Sequence, residues 1–209
     1  MPATRDPPTL ESLPATDAEG LCLAVIEASR GTRNKMKYRA EWRAFTLAHA
    51  LPQGMVFPYD FGFIPSTLGE DGDPLDVLVL ADEPLPMGTV VSCRLIGVIE
   101  AEQQEERRRA ERNDRLIAVA DASHRHRHVR ALRDMSPDLL QEIESFFMDD
   151  NRLRGRRFMV LGRHGPSAAR GLVKEGERRR REREAGERGS RPVNGDPQRG
   201  PDNARRRSA

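Results

Sequence analysis

No apolar run in this chain is long enough to make more than one strand or one short helix before a proline, a glycine or a charge interrupts it. The runs are LCLAVIE (21–27), MVFPYDFGFIP (55–65, broken by Pro58 and Pro65), PLDVLVLA (74–81), GTVVSCRLIGVIEAE (88–102), RLIAVA (115–120) and RRFMVLGR (156–163). They are rich in β-branched residues and bounded by turn residues, the pattern of many short strands closing into a small barrel. Gly97 inside the longest run marks a bend. One helix is signalled between the last two runs. Ser136 suits its N-cap and Pro137 its first position, and Leu139, Leu140, Ile143, Phe146 and Phe147 form an apolar stripe at helical spacing. A second helix is expected to start near Pro166, with Leu172 and Val173 as its last apolar residues. The fold class is therefore α+β.

Charge sets the limits of the folded part. Charged residues make up 33% of the chain, and they concentrate in 102–115 and after Gly171. Residues 174–209 hold 12 Lys or Arg against 7 Asp or Glu, in a chain of formal net charge +2. The chain is thus a mildly acidic body with a basic tail, and not a uniformly basic nucleic-acid-binding domain. Three parts are expected: a disordered lead-in at 1–20, a domain at 21–173, and a disordered or solvated helical tail at 174–209 that is dispensable for folding. The tail has no aromatic residues to stack on bases, so weak, salt-sensitive polyanion contacts are all that is expected of it. No stretch approaches the roughly 18 apolar residues of a membrane span, and the N-terminus lacks a signal-peptide pattern, so a cytoplasmic location is expected. Cys22 and Cys93 each sit in an apolar run and are expected to be reduced core thiols.

The sharpest local feature is Asp71-Gly-Asp-Pro-Leu-Asp76, followed by VLVL. Three carboxylates within six residues repel one another, and burial would raise their pKa values unless a cation is supplied. A hard divalent ion such as Mg²⁺ takes oxygen ligands of this kind. Gly72 permits a tight turn and Pro74 fixes the next φ. An acidic surface turn is the plain alternative. An EF-hand loop is excluded, because Asp76 stands where its glycine is needed and a strand follows instead of a helix.

D-G-D-P-[apolar]-D-[apolar] resembles the signature of the soluble (family I) inorganic pyrophosphatases. The resemblance continues through VIE ending at Glu27, GTRNK ending at Lys35, FPYDFGFIPSTL (57–68), CRLIGVI, RLIAVA and LLQEIESFF, covering roughly residues 21–163. It implies a five-stranded, OB-like β-barrel with flanking helices, a homo-oligomer, and Mg²⁺-dependent (or Mn²⁺-dependent) hydrolysis of pyrophosphate to two phosphates. In that carry-over Asp73 is the general base, Asp71 and Asp76 are metal ligands, Glu27 reaches a further metal, and Lys35 holds a phosphate.

Other positions depart from the family pattern. Lys37 stands in place of a glutamate, His49 of an arginine, and Phe57 and Phe61 of tyrosines. Gln103 and Asn113 replace two metal-binding aspartates, with the insertion EERRRAER between them. Arg115 replaces a lysine, and Asp150-Asn151 a Tyr-Lys pair. An amide offers a cation less than a carboxylate does, and lost cations weaken stabilisation of the leaving group. A slow enzyme is one expectation; a degenerate relative that binds a phosphate compound or a protein partner is the other. Glu102 and Asp114 could restore carboxylates only through a one-residue slip, which in a strand would turn them to the opposite face. SHRHRHVR (123–130) is expected to be a solvated basic loop, and Trp42 a packing residue.

Overall fold

The computed structural model describes residues 7–189. Nine strands form: β1 (Cys22–Ala28), β2 (Asn34–Arg39), β3 (Ala44–Ala50), β4 (Asp60–Phe63), β5 (Asp76–Leu80), β6 (Val90–Glu105), β7 (Glu111–Arg112), β8 (Arg115–Ala120) and β9 (Arg156–His164), with helices α1 (Pro137–Leu153) and α2 (Pro166–Gly189). In the larger sheet β1 pairs with β4, β4 with β5, β5 with β8, β8 with β6, and β6 again with β1. Five strands thus close on themselves, as the OB-like expectation requires. All these contacts are antiparallel except β5–β8, which is parallel, with Val77 opposite Leu116.

The ring strands are buried on both faces, so they are nearly continuous apolar runs. Alternation divides their side chains between two cores. Leu78, Leu80, Ile117 and Val119 face one core, completed by Leu140, Ile143 and Phe147 of α1. Val77, Val79, Leu116 and Ala118 face the other, completed by Ala169 and Val173 of α2. The α1 stripe is as expected, although Ser136 makes no side-chain cap hydrogen bond. Cys22 and Cys93 are cross-strand partners and are both buried and free. At Gly97 the β6–β8 register shifts, and an added Cβ would lie 2.5 Å from the His164 carbonyl oxygen and 2.4 Å from Leu132 Cγ.

Strand β6 is longer than its apolar run. Its first part belongs to the ring, while Glu100–Glu105 continues beyond it and pairs with β9 and at its tip with β7. The charged insertion is the tip of this β6–β7 hairpin. Strands β2 and β3 form a separate hairpin, and Trp42, 68% exposed at its turn, is not the packing residue expected. The loop after β8 is tied down by Asp82, whose carboxylate accepts from Ser123 Oγ and the His124 and Arg125 amides. Those bonds hold the Asp82 carboxyl down at about 2. His124 and His128 are exposed, as a solvated basic loop requires.

Residues 7–20 are ordered where disorder was expected, and the helical start of the tail docks on the body. Within 7–20, Ala15 is buried in the second core, Leu10 packs against the Tyr38 cluster, and Ser66 holds the segment through bonds to the Leu13 and Glu11 carbonyls. Small residues and backbone contacts do this work, which an apolar-run criterion overlooks. Residues 1–6, expected to be disordered, and 190–209, expected to be disordered or solvated helix, lie outside the described residues. Helix α2 continues to Gly189 and lies along the acidic turn. The Leu68 amide donates to the Gly176 carbonyl at 3.0 Å, and Gly176 fits against Leu75 and Thr67 because it lacks a Cβ. Arg179 reaches Glu70 at 3.3 Å, and Arg180 reaches Glu11 at 3.8 Å.

Two outcomes test this packing. Ending the chain after Val173 should lower the melting temperature by several degrees, given that about 1 kcal/mol shifts a domain of this size by roughly 2–4 °C; an unchanged melt would mean α2 does not dock. Gly62→Ala should destabilise by at least about 3 kcal/mol, the upper end of ordinary overpacking, as read by urea denaturation. The added Cβ would lie 1.9 Å from the Val25 carbonyl oxygen, and that backbone is fixed by strand pairing.

Candidate active site

The acidic turn is a compact loop between β4 and β5. The Gly69 amide donates to the Asp73 carbonyl at 2.7 Å, Gly72 adopts φ 83°, and the Asp73 amide donates to Asp71 Oδ1 at 3.1 Å. Burial, with the charge of Asp76 adding to it, pushes the Asp71 carboxyl up to about 6.

The loop forms one wall of a cleft of about 330 Å³. Lys35 and Lys37, two residues apart on β2, point into it together with His49 from β3. Phe57 and Phe61 supply its aromatic floor with Phe147 of α1. From the far side come Gln103 of β6, Asn113 and Arg115 before and at the start of β8, and Asp150 of α1. The chain thus brings Lys35, Asp71, Asp73 and Asp76 to one place. Glu27 stands just behind, in an adjoining recess shared with Lys35, Asp73 and Asp76. It accepts the Tyr38 amide at 3.0 Å, and burial raises its carboxyl although Lys35 opposes this.

The carboxylates are not alone in the cleft. Lys37 Nζ lies 2.6 Å from each oxygen of Asp73. Arg115 Nη1 lies 2.7 Å from Asp76 Oδ2. Lys35 Nζ lies 3.6 Å from Glu27, 3.8 Å from Asp76 and 4.0 Å from the centre of the Phe61 ring. The parallel pairing of β5 with β8 explains the second contact: it sets the first residue of each strand, Asp76 and Arg115, side by side.

On the opposite wall Asn113 Nδ2 donates to Gln103 Oε1 at 3.0 Å, and Arg115 Nη1 donates to Asn113 Oδ1. The register is the one that points amides at the cleft. Asp114 is turned away, accepting the Ala101 amide at 2.9 Å and pairing with Arg112. His49 Nε2 is 3.7 Å from Asp150 Oδ1, too far for a hydrogen bond. Burial raises the Asp150 carboxyl, but His49 and Arg154 more than offset this and hold it below the usual range.

Can these residues hold a divalent ion? Among the described residues no three acidic, His or Cys side chains are already gathered as a ligand set, because Asp73 and Asp76 are turned to internal cations. One ion does fit the acidic turn. Asp71 is accessible to solvent at the cleft wall and has no cationic hydrogen-bond partner among the described residues; crowding by the protein and the charge of its neighbour Asp76 raise its carboxyl, and a cation would relieve both effects. The opposite wall does not fit a second ion, since its oxygens belong to amides already engaged with each other and with Arg115.

The sequence reading missed Arg154, in the turn after α1, and Arg156, at the start of β9, which line the cleft, and Arg108 and Arg109 of the β6–β7 hairpin, which line its rim. Their signal is slight: arginines either side of Gly155, a turn glycine with φ 70°, directly after the helix that carries Asp150.

Comparison with known proteins agrees with this architecture. A family profile described as "Pyrophosphatase: Inorganic pyrophosphatase" matches residues 24–181. An inorganic pyrophosphatase of Nostoc sp. is 35% identical over 164 residues, covering 78% of this chain and 94% of the relative. One from Thermus thermophilus is 38% identical over 149 residues, 71% of this chain and 82% of the relative. The crystal structure of an inorganic pyrophosphatase from Thermus thermophilus superposes with a TM-score of 0.76 at 35% identity, covering 83% of this chain and 99% of that one. By fold and kinship the protein is an enzyme of the hydrolase class. It belongs to the inorganic pyrophosphatase family.

The ion pairs make a distinguishing prediction. Were the acidic turn a set of mutually repelling carboxylates, Asp76→Asn would stabilise the metal-free protein. Because it instead strands the buried Arg115, it should destabilise it by about 2–3 kcal/mol. That is somewhat less than the 3–5 kcal/mol of a fully buried broken pair, since Asp76 is one-fifth exposed. Urea denaturation in EDTA reads the sign directly.

Proposed function

We propose that the protein hydrolyses inorganic pyrophosphate to two phosphates with the help of Mg²⁺ or Mn²⁺, more slowly than a family member with all its carboxylates in place. The observation that supports this best is the meeting of Asp71, Asp73, Asp76 and Lys35 in one cleft. Asp71 and Asp76 would hold the ion, and Glu27 stands where it could reach a further one. When bound, such an ion supplies Lewis acidity. Lys35, propped against the Phe61 ring, presents its ammonium to a phosphate as a point charge. Asp73 takes the proton of the attacking water, and for this it must exchange its bond to Lys37 for one to that water. The three phenylalanines exclude solvent from the cleft floor but donate no hydrogen bond to the leaving phosphate. Kinship further suggests a homo-oligomer working in the cytoplasm.

Slowness follows from the contacts. Each lost electrostatic contact in a site of this kind costs on the order of 10²–10³ in rate, though losses among residues that act as a unit do not multiply. The Lys37–Asp73 and Arg115–Asp76 pairs favour a second reading, in which the cleft holds a phosphate compound without turning it over.

A phosphate-release assay with Mg²⁺ separates the two. The wild type should release phosphate, Asp73→Asn should abolish release, and Lys37→Glu should raise the rate at least tenfold by freeing Asp73. Equal rates for wild type and Asp73→Asn would show that the base is misassigned. An inert wild type whose Mg²⁺ binding, by calorimetry, is lost in Asp71→Asn would establish the second reading.

A further inference from the structure

The cleft already contains fixed cations. Seven lysine and arginine side chains line it against six carboxylates, so its charge is balanced in favour of an anion before any metal enters. Arg115 is the most firmly placed. It is 5% exposed, and its guanidinium lies over the rings of Phe147 at 4.8 Å and Phe158 at 5.3 Å. Its polar contacts, to Asp76, Asn113 and the Asp114 carbonyl, all run through Nη1. Nη1 therefore fills the space between the Asp76 carboxylate and the Asn113 amide oxygen, where a bridging cation would otherwise be needed. Nη2 donates to nothing among the described residues.

Arg154 and Arg156 extend this positive wall. Arg154 pairs with Asp150 through Nη2 at 2.6 Å, and Arg156 pairs with Glu105 through Nη2 at 2.7 Å. Both pairings leave Nη1 without a partner among the described residues. Each is thus oriented by a carboxylate at one edge while another edge remains available. The positive charges of Arg156 and Arg115 also bear on Arg154, adding to its burial in lowering its pKa while Asp150 opposes them. An anion between the three would relieve that repulsion. Guanidinium suits the task because its planar N–H edges match two oxygens of a phosphate at once.

We propose that Arg115, Arg154 and Arg156 form a built-in diphosphate-binding site that takes free pyrophosphate without a divalent cation. In this site arginine charge does the work that metal would do on the amide-lined wall. The inference deepens the proposed function and rests on its choice of a diphosphate ligand, but it concerns binding alone. Any metal at the acidic turn would then be needed for hydrolysis and not for capture.

The test is isothermal titration calorimetry of the full chain with sodium pyrophosphate in excess EDTA, repeated with Mg²⁺. The expected result is saturable one-to-one binding in EDTA, weakened at least tenfold by Arg154→Gln with Arg156→Gln. Thermal melts of that double variant in the absence of ligand should fall by a few degrees and stay cooperative, because Arg154→Gln removes a counter-charge of the buried Asp150 while Arg156 pairs at a partly exposed edge; titrations are therefore made well below the variant's melting temperature. Two results overturn the proposal: binding that appears only with Mg²⁺, or binding in EDTA that the double variant leaves unchanged, which would place the anion elsewhere, for instance on the arginine-rich tail. The phosphate-release assay reports separately on hydrolysis. Binding in EDTA with no release under Mg²⁺ would sink the hydrolytic reading and leave this one standing; release under Mg²⁺ with no binding in EDTA would do the reverse.

Discussion

The contact between Arg115 and Asp76 joins the fold to the site. It exists because β5 and β8 run parallel with Val77 opposite Leu116, so the residue that opens each strand meets the other at the same rim of the ring. Breaking that pairing would separate the acidic turn from the amide-lined wall. A buried guanidinium needs a counter-charge, and Asp76 is its sole ion-pair partner among the described residues. Once Arg115 is placed, Asn113 follows by accepting from it, Gln103 by accepting from Asn113, and the phenylalanines by covering its face. The far wall of the cleft is in this sense organised around one side chain.

Much of this could be read from residues alone, and the reason differs from feature to feature. The ring was legible because both faces of its strands are buried, which leaves continuous apolar runs with clear ends. The α1 stripe was legible because helical periodicity is distinct from strand periodicity. The Asp71–Asp76 turn was legible because carboxylates rarely crowd together without purpose. What alignment with a family pattern could not give was the pairing of Lys37 with Asp73. The sequence places an ammonium at position 37, but does not show that it closes on the Asp73 carboxylate. Arg154 and Arg156 were missed because nothing in an arginine-rich chain separates them from solvated arginines until a turn at Gly155 aims them inward.

Helix α2 shows the same limit in a different form. After Val173 it has few apolar residues, and composition alone suggests that it floats in solvent. It docks through a glycine that allows close approach and through arginines that span to the loop: Gly176 against Leu75, Arg179 to Glu70, and Arg183 to the Gly72 carbonyl at 3.4 Å. Exposed ion pairs are individually worth about 1 kcal/mol or less. Several of them acting on one short loop, beside a backbone hydrogen bond, nonetheless restrict its conformations.

A site that relies on mobile divalent ions needs carboxylates free to receive them, and unpaired carboxylates in a cleft destabilise the empty protein. Here two of the three carboxylates are already compensated by lysine and arginine, and the opposite wall carries amides that need no cation. The contacts support one another: Asn113 accepts from Arg115 without adding a negative charge, and Lys37 occupies Asp73. Such a cleft is more stable empty and less dependent on metal for charge balance. The same pairings raise the cost of freeing Asp73 for proton transfer. Gains in preorganised anion binding and losses in hydrolytic rate are therefore expected to arise from the same side chains.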